Sequence, residues 1–279
     1  MLNIKQLHEK ILYPVVRCRT DKAGGSGTII YSQPDPKNPE EYLTFILTNE
    51  HVIRDAITIK EEFDSLVKKD IKKEFFTKIR IDIFDYVYLS NVVSSNTHTA
   101  DIVAYDRSHD IALLKLNSPN KLDNVATLLN RKDIDKIKLF TQVYSCGASL
   151  SHEHFANLGQ ITYLKEFIDN KLYWMSNSNC IFGNSGGAVF LAETGEFVGV
   201  PARVTNIQLG FGMDVVSWMG FFIPMSRIYE FFDEQELQFI YNPNEDFYAS
   251  MDKRRLKQKT GLVELAGIKP HPEKKSTRR

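Results

Sequence analysis

The stretch Asn179–Phe190, NCIFGNSGGAVF, sets one serine among three glycines within five positions and then returns to an apolar run. Glycine gives up more backbone freedom on folding than any other residue. Gly183, Gly186 and Gly187 around Ser185 therefore mark a chain that turns sharply or passes close to something. Two readings follow. The loop merely turns, or it aims a hydroxyl and neighbouring N–H groups outward. Only partners elsewhere in the chain decide between them.

The bulk composition narrows the field without naming a role. A chain of 279 residues makes one large domain or two modest ones. Lys+Arg and Asp+Glu both number 35, so net charge points to no polyanionic or polycationic partner. Cys18, Cys146 and Cys180 are odd in number and widely spaced, which is neither a disulfide framework nor a zinc pattern. They fit a reducing compartment. The N-terminal MLNIKQLHEKILYPVVRCRT has no uninterrupted apolar core, because Lys5, His8, Glu9 and Lys10 break it. No apolar run approaches the length of a membrane span. The expectation is a cytoplasmic protein, in the host cytoplasm if virus-encoded, with no membrane partner.

Outward from Ser185, most of the chain reads as short strands rich in β-branched and aromatic residues, bounded by turn residues. GTIIYS, YLTFILTN, KIRIDIFDYVYL, IALLKL, GQITYLKEF and GAVFLA are examples. Such a pattern predicts an all-β barrel or sandwich. The polar, turn-rich NSPNKLDN at 117–124 divides the strands into two similar groups. The division predicts β units over 1–120 and 121–240, followed by a basic, flexible tail over 241–279. Three peripheral helices are expected, at 3–12, 60–76 and 225–239. The second rests on Phe63, Leu66, Val67, Ile71 and Phe75 near helical spacing, with charges opposite. The third has Ser226 as its N-cap.

A serine hydroxyl needs an adjacent base to become a nucleophile, and that base needs a group to orient it. His51, in FILTNEHVIRDA, stands where an apolar strand gives way to a turn. Asp110, in SHDIALLKL, precedes a strongly apolar strand, where a carboxylate is costly unless hydrogen-bonded. Asp101 and Asp106 are nearby rivals for the same role.

His51 in LTNEHVI, Asp110 in DIALLKL and Ser185 in GNSGGAVF thus occur in the order His, Asp, Ser. Together with GSGTII (25–30), GEFVGV (195–200) and FFIPM (221–225), they make the sequence resemble the trypsin-like serine proteases. Within these it looks most like the HtrA, or Deg-type, branch, over roughly residues 24–230. The resemblance implies two antiparallel six-stranded β-barrels of chymotrypsin type. It implies a serine endopeptidase acting on polypeptides without cofactor or metal. Ser185 would attack the peptide carbonyl, His51 would shuttle the proton, and Asp110 would orient His51. The N–H groups of Gly183 and Ser185 would form the oxyanion hole. Asn179, Val204 and Phe221 would line the substrate pocket, making it shallow and apolar for small aliphatic residues, unless the neighbouring Arg203 turns inward and recruits an acid.

Two departures accompany the resemblance. Asn184 replaces the aspartate that digestive members use to bind a freed N-terminus. The about 45 residues after the match are too few for a PDZ domain.

Other motifs read more plainly. SHEHF (151–155) offers His152 and His154 but no third ligand at metal spacing, so it reads as a polar surface loop. Cys180 reads as a small buried wall residue. The tail from 252 carries an excess of Lys and Arg and reads as a solvated end, with a weak polyanion contact as its functional alternative. A different class of function remains. It is a catalytically silent, or only self-cleaving, β-barrel that binds through its cleft and basic tail.

Overall fold

A computed structural model describes residues 2–64, 68–210 and 212–265. The N-terminal half closes into a six-stranded barrel from β1 (Val15–Arg19), β2 (Gly24–Asp35), β3 (Asn38–Thr48), β6 (Ile79–Tyr86), β7 (Val92–Asp106) and β8 (Ile111–Leu116). The strands run in the order β1-β2-β3-β8-β7-β6. The C-terminal half forms a second closed barrel from β9 (Gln142–Gly147), β10 (Phe155–Ile168), β11 (Lys171–Ser176), β12 (Ala188–Leu191), β13 (Phe197–Leu209) and β14 (Gly212–Pro224). The turn-rich 117–124 lies in the connection between them. The all-β, two-barrel expectation holds.

The apolar strands β3 and β8 explain how the halves are joined. Side chains alternate faces along a strand. On β8, Ala112, Leu114 and Leu116 enter the core of the first barrel, with Val16, Ile29, Ile46 and Ile81. Ile111 and Leu113 point the other way, into a core shared with the second barrel and the C-terminal segment. Leu43, Phe45 and Leu47 of β3 do the same. Both faces are covered, so these strands are apolar almost without interruption.

Three expectations about the periphery change. Residues 60–64 and 68–76 are not helical but belong to a strand pair, β4 (Ile57–Asp64) and β5 (Lys69–Phe76), paired from Ile57↔Phe76 to Asp64↔Lys69. The helical spacing of Phe63, Ile71 and Phe75 arises across the two strands, and Leu66 and Val67 lie outside the described residues. Cross-strand pairing holds the pair, with β-branched Ile57 and Thr58 facing Phe76 and Phe75, and Lys73 bridging to Glu62 at 3.0 Å. The segment at 225–239 is helical, but α3 (Met225–Glu234) has Pro224 rather than Ser226 at its N-cap; for the shorter helices, α1 (Ile4–Leu7) precedes a single π turn.

The tail is also not a free end from 241. Residues Phe247–Leu265 form a helix, α4 (α2 being the turn Glu50–Ile53). Phe247 packs on Phe45 and Phe239 at ring-centroid distances of 5.1 and 5.6 Å. Arg254 Nη1 donates to the Gln235 side chain at 2.9 Å, and its Nη2 to the Val103 carbonyl at 3.3 Å. The outer, apolar face of β3 needs a cover, and this segment supplies it. Residues 266–279 lie outside the described residues. No helix among the described residues is long and apolar enough to cross a membrane.

The loop SHEHF divides. His152 is exposed, but His154 is buried and hydrogen-bonded to Tyr86 Oη. Burial holds the His154 imidazole down at about 3, against 6.5 unperturbed, so it is neutral in the fold. Between those values the unfolded chain binds the extra proton, and stability must fall as pH falls. It is fully present above about pH 6.5 and is lost progressively towards pH 3. The slope from this group approaches about 1.4 kcal/mol per pH unit. Urea midpoints measured from pH 7 to 4 are expected to drop more steeply in wild type than in His154→Gln. Parallel profiles would show that His154 takes no part.

Candidate active site

His51 owes its position to the end of β3. After Thr48 the chain enters the one-turn α2, whose Val52 and Ile53 anchor in the first barrel's core. Glu50 is buried beneath the turn and takes Arg54 through Nε at 2.9 Å and Nη2 at 2.5 Å. Both flanks are held, and the intervening His51 side chain is left at 34% exposure, facing the cleft.

Asp110 closes the turn before β8 with φ of 58°, a left-handed conformation that aspartate tolerates better than most residues. Its carboxylate lies 2.9 Å from His51 Nδ1 through each oxygen. The His51 backbone N–H donates to Oδ1 at 3.0 Å, and Asn49 Nδ2 donates to the Asp110 carbonyl at 2.8 Å. The rivals are engaged elsewhere. Asp101 pairs with Lys78 at 2.5 Å, and Asp106 accepts the His109 backbone N–H at 2.8 Å.

Ser185 lies on the loop before β12, in the same cleft as His51 and Asp110. No hydrogen bond joins it to His51 here; such contacts are often loose until a substrate arrives. The glycines around it answer to close approach. A Cβ on Gly186, at φ 83°, would sit 2.1 Å from the Ser26 carbonyl. One on Gly183, at φ 99°, would sit 2.5 Å from the Ala148 carbonyl.

The loop is tied to the first barrel by a residue that sequence reading passed over. Ser26 is fully buried. Its N–H donates to the Ser185 carbonyl at 2.8 Å and its hydroxyl to the Gly183 carbonyl at 2.7 Å. That hydroxyl also accepts the Ala148 N–H at 2.7 Å. The sequence signal was present in GSGTII, but its partners were not visible there. Leu150 is the second such residue. Its N–H donates to the Phe182 carbonyl at 2.8 Å. The Phe182–Gly183 peptide is trans, so the Gly183 N–H points the opposite way from that carbonyl. Among the described residues, neither the Gly183 nor the Ser185 N–H has a protein acceptor. Asn184 is buried. Its Oδ1 accepts from Ser149 Oγ at 2.6 Å and from the Ile181 N–H at 3.1 Å, bracing the loop without an ion pair.

The cleft has a volume of about 500 Å³. Val204 lines it, together with Cys180, Ile181 and Ala202. Asn179 and Phe221 are not among its lining residues. Asn179 is exposed and its carbonyl accepts from Asn157, while Phe221 packs against the second barrel's core. Cys180 is a wall residue, with burial pushing its thiol up to about 12. Among the described residues, Asp106, His109 and Glu234 bring three metal-ligand atoms within 4.8 Å of one another. His109 Nε2 already pairs with Glu234 there at 3.3 Å.

A family model of the trypsin-like peptidase domain matches residues 25–200, which include His51, Asp110 and Ser185. The chain belongs to the trypsin-like peptidase family. Similar solved structures agree on the fold. Deg5 superposes with a TM-score of 0.55 at 17% identity, covering 81% of this chain and 90% of its own. The HtrA-type protease AlgW with a tripeptide gives 0.58 at 18%, covering 85% of this chain and 64% of its own. A serine endoprotease from Yersinia pestis gives 0.53 at 18%, with 84% and 66% covered. The chain thus spans about two thirds of the length of the latter two. No curated protein sequence matches this trypsin-like protease significantly.

Proposed function

We propose that the protein is a serine endopeptidase that works through His51, Asp110 and Ser185 and an acyl-enzyme. The observation that carries this is the cleft itself. It holds a histidine whose Nδ1 is bonded to a carboxylate and a serine on a loop of crowded glycines, and on that loop the Gly183 and Ser185 N–H groups have no protein acceptor among the described residues. Bonding of Nδ1 to Asp110 leaves Nε2 as the base towards Ser185. Asp110 holds the ring in one tautomer and stabilises the cation formed when the Ser185 proton is taken. The attacked carbonyl oxygen becomes an oxyanion, and the N–H groups of Gly183 and Ser185 receive it. Each such donor is typically worth about 3–4 kcal/mol of barrier. His51 then returns the proton to the leaving amine, and water repeats the cycle on the acyl-enzyme.

Cys180, Ile181, Ala202 and Val204 give the wall beside Ser185 small or branched apolar side chains. The residue whose carbonyl is attacked is accordingly small or medium and aliphatic, with a broad preference, since one methylene discriminates by only about 1–3 kcal/mol.

A fluorophosphonate probe tests the proposal. Labelling of Ser185, identified by peptide mass and absent in His51→Ala, is the expected result. A folded protein that leaves Ser185 unlabelled, and turns over no added protein substrate, is instead a silent scaffold.

A further inference from the structure

Three guanidinium side chains line the cleft around Ser185, those of Arg54, Arg107 and Arg203. Asp110 is the one carboxylate among the described lining residues, and it is engaged with His51. The other nearby carboxylates are placed where they neutralise this charge poorly. Glu50 is buried behind Arg54, which it holds through Nε and Nη2, so Arg54 is committed. Asp169, paired with Arg203 at 3.1 Å, is 78% exposed and Arg203 is 42% exposed. An exposed pair of this kind is weak and easily exchanged. Arg203 also rests over the Tyr173 ring at 5.3 Å, which stiffens its stem. Arg107 is exposed and has no hydrogen-bond or ion-pair partner among the described residues.

A peptide lying in this cleft therefore meets cationic forks inside, with the compensating anions buried beneath or out in water. A carboxylate matches a guanidinium fork in two parallel charge-assisted hydrogen bonds, roughly twice as strong as those a neutral amide makes, and at these partly exposed arginines it keeps part of its hydration. The wall formed by Cys180, Ala202 and Val204 is apolar, so the acid does not belong to the residue whose carbonyl is attacked. We propose that Arg107 and Arg203 are specificity residues that select peptides carrying Asp or Glu within the few positions flanking the scissile residue. The proposal rests on the peptidase reading above.

A randomised peptide library digested by wild type and by Ser185→Ala, with cut sites read by mass spectrometry, tests it. Ser185-dependent cuts are expected to show Asp and Glu enriched at one or more flanking positions. In the best peptide, changing the acid to its amide is expected to lower kcat/KM by roughly tenfold or more at low salt. The factor should shrink as salt rises. Arg107→Ala or Arg203→Ala should reduce the acid-to-amide ratio, and Arg107→Glu should turn the preference towards Lys and Arg. Both arginines are at least partly exposed, so a thermal melt matching wild type is expected to show each variant folded. Ser185-dependent cleavage with acid and amide peptides cut equally overturns this inference and leaves the peptidase reading intact. So does a ratio that neither arginine variant moves. No Ser185-dependent cleavage of any peptide overturns the peptidase reading and this inference with it.

Discussion

Ser185→Ala is expected to lower peptide turnover by about six orders of magnitude while the melting temperature stays at the wild-type value. The reasons for the two halves differ. The hydroxyl is the atom that forms the acyl bond, and no neighbouring side chain in the cleft replaces it. The backbone of Ser185, by contrast, is held through its carbonyl by the Ser26 N–H at 2.8 Å, and that bond survives the substitution. The residue is partly exposed, so removing one oxygen opens no buried cavity. His51→Ala is expected to fall as far. The double variant should be no worse than either single one, because nucleophile and base act as one unit. Single-turnover assays with protein repurified from independent preparations provide the check. Wild-type turnover in Ser185→Ala would remove the serine from the mechanism.

Asp110→Asn carries the second largest effect, about four orders of magnitude in kcat. Asparagine tolerates the left-handed φ of 58°, so the turn before β8 should survive. What changes is what the side chain offers His51. An amide nitrogen facing Nδ1 favours the tautomer in which Nδ1 lacks its proton, and Nε2 is then no longer the base. The cation formed during acylation also loses its counter-charge. Asp101→Asn provides the contrast. That carboxylate sits on β7 in an exposed pair with Lys78, and its loss should change kcat and stability little, within about 0.5 kcal/mol. If Asp101→Asn cripples the enzyme and Asp110→Asn does not, the carboxylate has been misassigned.

Much of this was legible along the chain. Short β-branched runs between turn residues mark strands because side-chain alternation is a local property. The His51, Asp110 and Ser185 motifs are equally local, each being a few residues at the end of a strand. The reading failed where no buried face existed to impose a period. In β5 the residues are exposed on both sides apart from Ile71 and Lys73. Its apolar positions therefore carry no alternation, and a helical spacing emerged by coincidence across the strand pair. The tail misled for the opposite reason. Its basic composition suggested a solvated end, while Phe247 was needed to cover Phe45, a requirement that exists only once β3 is folded.

Legible from neighbours along the chain were the all-β class and the local motifs that carry His51, Asp110 and Ser185. The tertiary structure alone decided how those residues are held and what surrounds them. Ser26 meets Ala148 and Gly183 across separations of 122 and 157 residues. Leu150 holds the Phe182 carbonyl through its N–H across a separate loop. Arg54 and Arg107 from one barrel come to share a cleft with Arg203 from the other. Asn179 and Phe221, placed in the pocket by motif distance, lie outside it because strand register and loop path, not spacing, set where a side chain points. Such contacts form between surfaces that exist only after each barrel has closed, and no local pattern records which surfaces will meet.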